Sequence, residues 1–320
     1  MTRLKAAVIT AVTRSTRRRD GTINRTLLAA LVWKAKPSPK PIKGISTTDH
    51  TVDASRGLWV RLFSPAAVQP GTAIPIIVYF HGGGFAYHSA STLAYDALCR
   101  RIAGSAHARV VSVEYRLAPE HRFPAAYDDG FDALRWIDDA DVRFSSVFLA
   151  GDSAGGNIAH HVARRAVAEK ETLRRVRVNG VVEIQPFFGG EEATASELRL
   201  DGRVPFGSRE SYEWLWRTFL PAGSSLDGKW SNVFGPGSDS GSEDWTDFPA
   251  TMVIIGGLDL LQDRQRMYCE GIRGRGVEVT AVEYPNAFHG FFVFTELPEA
   301  KKMTIDIADF VRTHFSPACS

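Results

Sequence analysis

Apolar positions along the chain alternate between short unbroken runs and amphipathic stretches. Residues 74–80 (IPIIVYF), 110–115, 146–150, 181–184 and 252–255 are each strand-length and almost wholly apolar, the pattern of strands buried on both faces. Residues 58–63 predict an earlier strand and 277–282 a last one. Helical patterns fall between them at 127–137, from just after Ser153 through Ala168, at 264–272 and at 300–315. The alternation predicts an α/β chain built on a mostly parallel central sheet covered by helices. The stretch 188–250 interrupts it: Tyr212, Leu215, Trp216 and Phe219 share one helical face, and 235–247 is a Gly/Ser/Asp-rich loop. This predicts an inserted cap rather than a second domain. At the N-terminus Leu4, Ala7, Val8, Ala11 and Val12 fall at i, i+3, i+4, i+7 and i+8, one apolar helical stripe. Residues 1–45 are therefore expected to form lid helices over a catalytic domain of 46–320.

Composition narrows the class. With 44% hydrophobic and 23% charged residues over 320 positions, the chain can build a sizeable core and is neither disordered nor collagen-like. No apolar run approaches the ~18 residues of a membrane span. Cys99, Cys269 and Cys319 are far apart, which suits a reducing compartment and inert thiols. A soluble protein of the cytoplasm, with residence in the nucleus also compatible, is expected. Charge is uneven: residues 1–43 hold eleven Lys or Arg against Asp20 alone, a net +10, so the rest of a chain of net +2 carries −8. Only Trp33 accompanies this basic end, too little aromatic content for a nucleic-acid arm. An organelle transit segment stands as the alternative to a lid, against its scarcity of serines. Asn24 begins an N-R-T sequon without a signal peptide before it, so glycosylation is not expected.

The chemistry concentrates in two glycine motifs. Gly151-Asp152-Ser153-Ala154-Gly155 is a G-x-S-x-G, and by itself a Gly-rich turn is the plainer reading. Here it lies between a buried strand and a helix, where a nucleophile elbow requires it. The glycines relieve crowding in a sharp turn that exposes Ser153. His81-Gly82-Gly83-Gly84 follows another buried strand, and N–H donors from Gly83, Gly84 and Ala154 are candidates for an oxyanion hole. A serine needs a base. Of nine histidines, His289 lies between the last strand and the last helix, where the order Ser…Asp/Glu…His places it. His160 and His161 are adjacent on a helix and point about 100° apart, so they do not form a paired metal site. The orienting acid is expected at Asp259, just past the 252–255 strand, in preference to Asp263, which has a helix-capping reading. No metal-ligand spacing and no dinucleotide fingerprint is present, so neither metal nor cofactor is expected.

These residues, together with Tyr115-Arg116-Leu117-Ala118-Pro119-Glu120-His121-Arg122-Phe123-Pro124-Ala125 and the stretch 151–157, resemble plant carboxylesterases of the hormone-sensitive-lipase family of α/β-hydrolases over nearly the whole chain. The resemblance implies the α/β-hydrolase fold and a serine esterase acting through an acyl-enzyme. Residues 17–25 (RRRDGTINR) also resemble the N-terminal segment of plant gibberellin receptors, which share this fold and whose N-terminal helices cover the pocket. Those receptors lack the catalytic histidine and carry H-G-G-S, whereas this chain has His289 and H-G-G-G. The expectation is thus an esterase of small, largely apolar esters, with hormone binding without turnover as the alternative. Phe85, Phe187, Phe188, Phe291 and Phe292 are expected as pocket walls, beside Trp216, for which cap packing serves equally well. A small-molecule ester is the partner expected, without nucleic acid, membrane or an obligatory protein.

Overall fold

The computed structural model describes residues 2–69, 71–140, 142–238 and 244–315, with side chains from residue 6 onward. Leu4 (side chain), Cys319 and part of the 235–247 loop lie outside the described residues. Eight strands form one sheet: β1 (Ile45–Asp53), β2 (Leu58–Pro65), β3 (Ile74–Phe80), β4 (Arg109–Glu114), β5 (Phe144–Asp152), β6 (Val178–Ile184), β7 (Ala250–Leu258) and β8 (Val279–Phe288). Their order is β1-β2-β4-β3-β5-β6-β7-β8. β1 and β2 are antiparallel and β2 meets β4 antiparallel, while every pairing from β4 to β8 is parallel. The expected mostly parallel sheet is present.

Both faces of the sheet are covered, which is why its strands read as continuous apolar runs. In β3 the side chains alternate between two cores: Ile76, Val78 and Phe80 join one, Ile77 and Tyr79 the other. The first core lies under α4 (Ala125–Asp139), α5 (Ala154–Ala168) and α8 (Gln262–Arg273), through Phe131, Ile158, Val162 and Ile272. The second lies under α3 (Leu93–Ala106) and α9 (Pro298–Thr313), through Leu98, Ile102, Met303 and Ile307. Each fully buried aliphatic side chain of this kind stabilises the fold by about 1.5–3 kcal/mol.

Between β6 and β7 the chain leaves the sheet to form the expected cap, with α6 (Ala195–Leu200) and α7 (Arg209–Phe219). The N-terminal helices α1 (Thr2–Thr16) and α2 (Arg25–Leu31) pack beside it. Ile23 and Leu28 meet Ala86 and Tyr87 of the glycine loop, with Val12, Trp214 and Leu215 against them. Arg25 fastens the same loop by donating to Ala86 O at 2.5 Å and Ala118 O at 2.6 Å, and pairs with Glu120. Asn24 caps α2 by accepting from the Leu27 N–H at 3.1 Å.

The face of α1 needs correcting. Val8 is 54% exposed, and Ala7 and Ala11 are exposed as well; the buried positions are Ala6 and Thr16. The inward threonines tolerate this because their hydroxyls bond back to the helix: Thr10 to Ala6 O, Thr13 to Thr10 O and Thr16 to Thr13 O. A hydropathy stripe counts these threonines as polar, so of its described side chains only Val12 reaches the inward face.

Candidate active site

Three loops at the carboxyl ends of the central strands converge. Ser153 stands between β5 and α5 with φ 52° and ψ −118°, a strained conformation for a residue with a Cβ. The flanking glycines show why the turn is possible. A Cβ on Gly151 would run into the Gly155 backbone, and one on Gly155 would run into the Phe80 carbonyl at the end of β3. Small residues therefore bring the elbow and the glycine loop into contact. The Ser153 N–H donates to Ile184 O and the Phe187 N–H donates to Ser153 O, both at 2.9 Å, so β6 and the chain after it brace the turn.

His289 follows β8, and Gly290 behind it has φ 75°. Its Nε2 lies 3.0 Å from Ser153 Oγ and its Nδ1 lies 2.9 Å from Asp259 Oδ2. Asp259, just past β7, is fully buried and also accepts from the Leu261 N–H and from Gln265 Nε2, each at 3.0 Å. Asp263 takes no part in this line: it accepts from the Ser196 N–H at 2.7 Å and pairs with Arg266. Burial works against the imidazolium of His289, but the Asp259 charge and hydrogen bond, with the Asp152 charge behind them, hold it above the ordinary histidine value. His81, His88 and His161 are driven the other way by burial, to about 3, 4 and 3.

The glycine loop turns beside Ser153. Gly83 has φ 109° and Gly84 φ 60°, and a Cβ on Gly84 would strike Leu215 of α7. Among the described residues no acceptor is recorded for the N–H groups of Gly83, Gly84 or Ala154; the last opens α5, where a helix leaves its first donors free. Such donors are suited to a developing oxyanion. Asp152 ties this loop to the elbow. Its carboxylate accepts from the Gly82 N–H at 2.9 Å, the Tyr79 hydroxyl at 2.7 Å and the Tyr95 hydroxyl at 2.9 Å. Burial pushes the Asp152 carboxyl up to about 6, although these three donors favour its anion. Tyr79, Tyr95, Asp152 and Gln265 were not singled out in the sequence. Only Asp152, as the second residue of G-x-S-x-G, carried a local signal.

Aromatic rings close in from the cap. Phe187 stacks on Trp216 at 4.6 Å, Phe85 on Phe219 at 3.7 Å, and Tyr212 stands edge-on to His289 at 5.9 Å. Phe188 instead stacks on Tyr268 of α8 at 4.5 Å. Phe291 and Phe292 are corrected from pocket walls to core residues: they pack in the α3–α9 core with Tyr284 and Met303. The Phe-Phe pair follows the His289 loop in sequence, but the chain there turns down onto the far face of the sheet. Two grooves, of about 830 and 320 Å³, run along α8 and α5, and neither is lined by Ser153, Asp259 or His289. His160 and His161 are both held by hydrogen bonds, to Tyr268 Oη and Trp230 O. The Cys99 and Cys269 thiols are buried, and burial pushes Cys269 up to about 12, so they are poor nucleophiles.

Comparison with known proteins bears on the fold. A family profile described as the alpha/beta hydrolase fold matches residues 77–293. The gibberellin receptor GID1C of Arabidopsis thaliana is 40% identical, covering 92% of this chain and 89% of its own. Carboxylesterase 20 of the same plant is 36% identical, with 91% and 93% covered. Among solved structures, an esterase of Pyrobaculum calidifontis superposes with a TM-score of 0.73 at 30% identity, covering 85% of this chain and 86% of its own.

Proposed function

The chain belongs to the α/β-hydrolase family, and from that premise we propose that it is a serine carboxylesterase acting on small, largely apolar esters. The observation that carries this reading is the unbroken line Ser153 Oγ–His289–Asp259, at 3.0 and 2.9 Å. In this reading His289 Nε2 removes the Ser153 proton as Oγ attacks the ester carbonyl. The negative charge on the carbonyl oxygen is met by the N–H groups of Gly83, Gly84 and Ala154. His289 then protonates the departing alcohol, and afterwards activates the water that frees the acid. Asp259 holds the Nδ1–H tautomer and stabilises the imidazolium. Phe85, Phe187 and Trp216 are packed in the core like Phe291 and Phe292, so the ring that supports an apolar substrate is Tyr212, edge-on to His289. Residues 1–45 serve as a lid, an assignment supported by the Arg17 guanidinium lying 4.2 Å over the Trp214 ring of α7. The same reading gives a protein of the cytoplasm, without nucleic acid or obligatory protein partner.

A second reading is binding of a gibberellin-like hormone with little or no turnover, favoured by the 40% identity with a gibberellin receptor. Hydrolysis of short- and medium-chain p-nitrophenyl esters by the wild type beside Ser153→Ala separates the two. Turnover lost in the variant supports the esterase. No turnover in either protein, with hormone binding in a direct assay, supports the receptor.

A further inference from the structure

Gln185 is the first residue past β6. It is fully buried, and it has φ 47°, the left-handed region that a non-glycine residue enters only when its surroundings impose it. Its backbone N–H donates to Ile254 O at 2.8 Å, which roots it in β7. Its side-chain amide then crosses to the His289 loop and is used at both ends. Oε1 accepts from the Gly290 N–H at 2.8 Å, and Nε2 donates to the Phe288 carbonyl at 3.2 Å. The partners, one a donor and the other an acceptor, dictate which end of the amide is which. Gly256 clears its path, since a Cβ there would strike Gln185 Nε2.

The two peptide groups held in this way stand on either side of His289. The neighbouring residues of the same segment hold the other reactant: Ile184 O accepts the Ser153 N–H, and the Phe187 N–H donates to Ser153 O. One four-residue segment therefore grips the nucleophile through its main chain and the base through one side chain. We propose that Gln185 is a positioning residue that holds His289 Nε2 against Ser153 Oγ by clamping the chain on both sides of the imidazole. The proposal rests on the reading of His289 as the base. Asparagine is one methylene shorter and does not span the gap, and methionine matches the length but makes neither hydrogen bond; glutamate can accept from Gly290 but cannot donate to Phe288 once ionised, so Gln185→Glu is compared with the wild type at alkaline pH, where the acid has lost its proton.

The test compares the full-length wild type with Gln185→Met and Gln185→Glu. Turnover of p-nitrophenyl butyrate is measured per active site titrated with a phosphonate, together with the proton resonance of the His289 Nδ1–H. Both variants are expected to lose about 10- to 100-fold in kcat per titrated site with KM little changed, the scale of a base misplaced by about 1 Å. The Nδ1–H resonance, sharp in the wild type, is expected to broaden in both. Wild-type kcat per site with an unchanged resonance overturns the proposal, as does a loss confined to folded yield or melting temperature. Should Gln185→Met not fold, Gln185→Glu, which keeps the Gly290 contact, decides alone. A wild type without turnover refutes the esterase reading instead, and the resonance then decides the Gln185 clamp by itself.

Discussion

Among the described residues the sheet carries two lines of histidine, hydroxyl and carboxylate, and they differ in how the cost of burial is met. In the first, Ser153, His289 and Asp259 follow one another at 3.0 and 2.9 Å. In the second, His160 Nδ1 lies 2.8 Å from the Tyr268 hydroxyl, which donates to Glu183 at 2.8 Å. The difference is compensation. Asp259 accepts from two further donors, Leu261 N–H and Gln265, which sustain its charge and through it the imidazolium of His289. Among the described residues Glu183 accepts one hydrogen bond, from Tyr268, and its Oε2 accepts none, so burial pushes its carboxyl well above the ordinary value. Burial likewise pushes His160 well below its own. In the second line burial thus works against both charges, and its histidine packs among Phe188, Trp245 and Phe248. A histidine near an acid becomes a base only where donors offset the cost of burying the acid's charge.

The contrast can be broken at its reactive end. Ser153→Ala and His289→Ala are each expected to lower kcat for an activated ester by about 10⁶-fold, measured against background hydrolysis. Asp259→Asn, which keeps the shape and removes the charge, is expected to lower kcat by about 10⁴-fold. Because Asp259 raises the His289 value, wild-type activity should fall on its acid side at a pH above 6.5. In Asp259→Asn the residual activity should fall at a lower pH, as a pH–rate profile would reveal.

Stability sharpens the comparison from the other side. His81, His88, His160 and His161 stay neutral in the fold at pH values where the unfolded chain protonates them. The unfolded state then holds more protons, so each costs about 1.4 kcal/mol per pH unit below 6.5 until its own folded value is reached. Glu183, Asp152 and Glu114, all raised by burial, act in the opposite sense as pH falls toward their unfolded values, but they are three against four. Melting temperature should therefore drop between pH 6.5 and 4.5. Least of all, Glu183→Gln should change stability by less than about 1 kcal/mol in urea unfolding near neutral pH and leave ester turnover unaltered, since it replaces a group whose charge burial already disfavours.

Much of the site was legible because it hangs on apolar strands. β3, β5 and β7 run directly into His81, Ser153 and Asp259, and each was readable as an unbroken hydrophobic run. β8 was placed but cut short at 282; it continues to Phe288 and delivers His289. β1 escaped notice because ISTTDHTVD, paired on one side only, has a half-exposed polar pattern. α3 escaped because Asp96 and Arg100 sit on its buried side, where they neutralise one another at 2.7 Å. Asp152 and Gln185 were not recognisable because their partners, Gly82 and Gly290, lie 70 and 105 positions away.

The helix α7 packs beside the Ser153–His289–Asp259 line. Ser153, Asp259 and His289 follow strands of the sheet, but Tyr212 next to His289, Leu215 next to Gly84 and Trp216 next to Phe187 belong to eleven consecutive residues of this one helix. In the esterase reading, recognition and turnover thus sit on separate pieces of chain. Substitutions in α7 can retune what is admitted while the machinery beneath is left intact. Conversely, a variant that lost His289 alone would keep the same aromatic surroundings and lose only the base that the esterase reading requires.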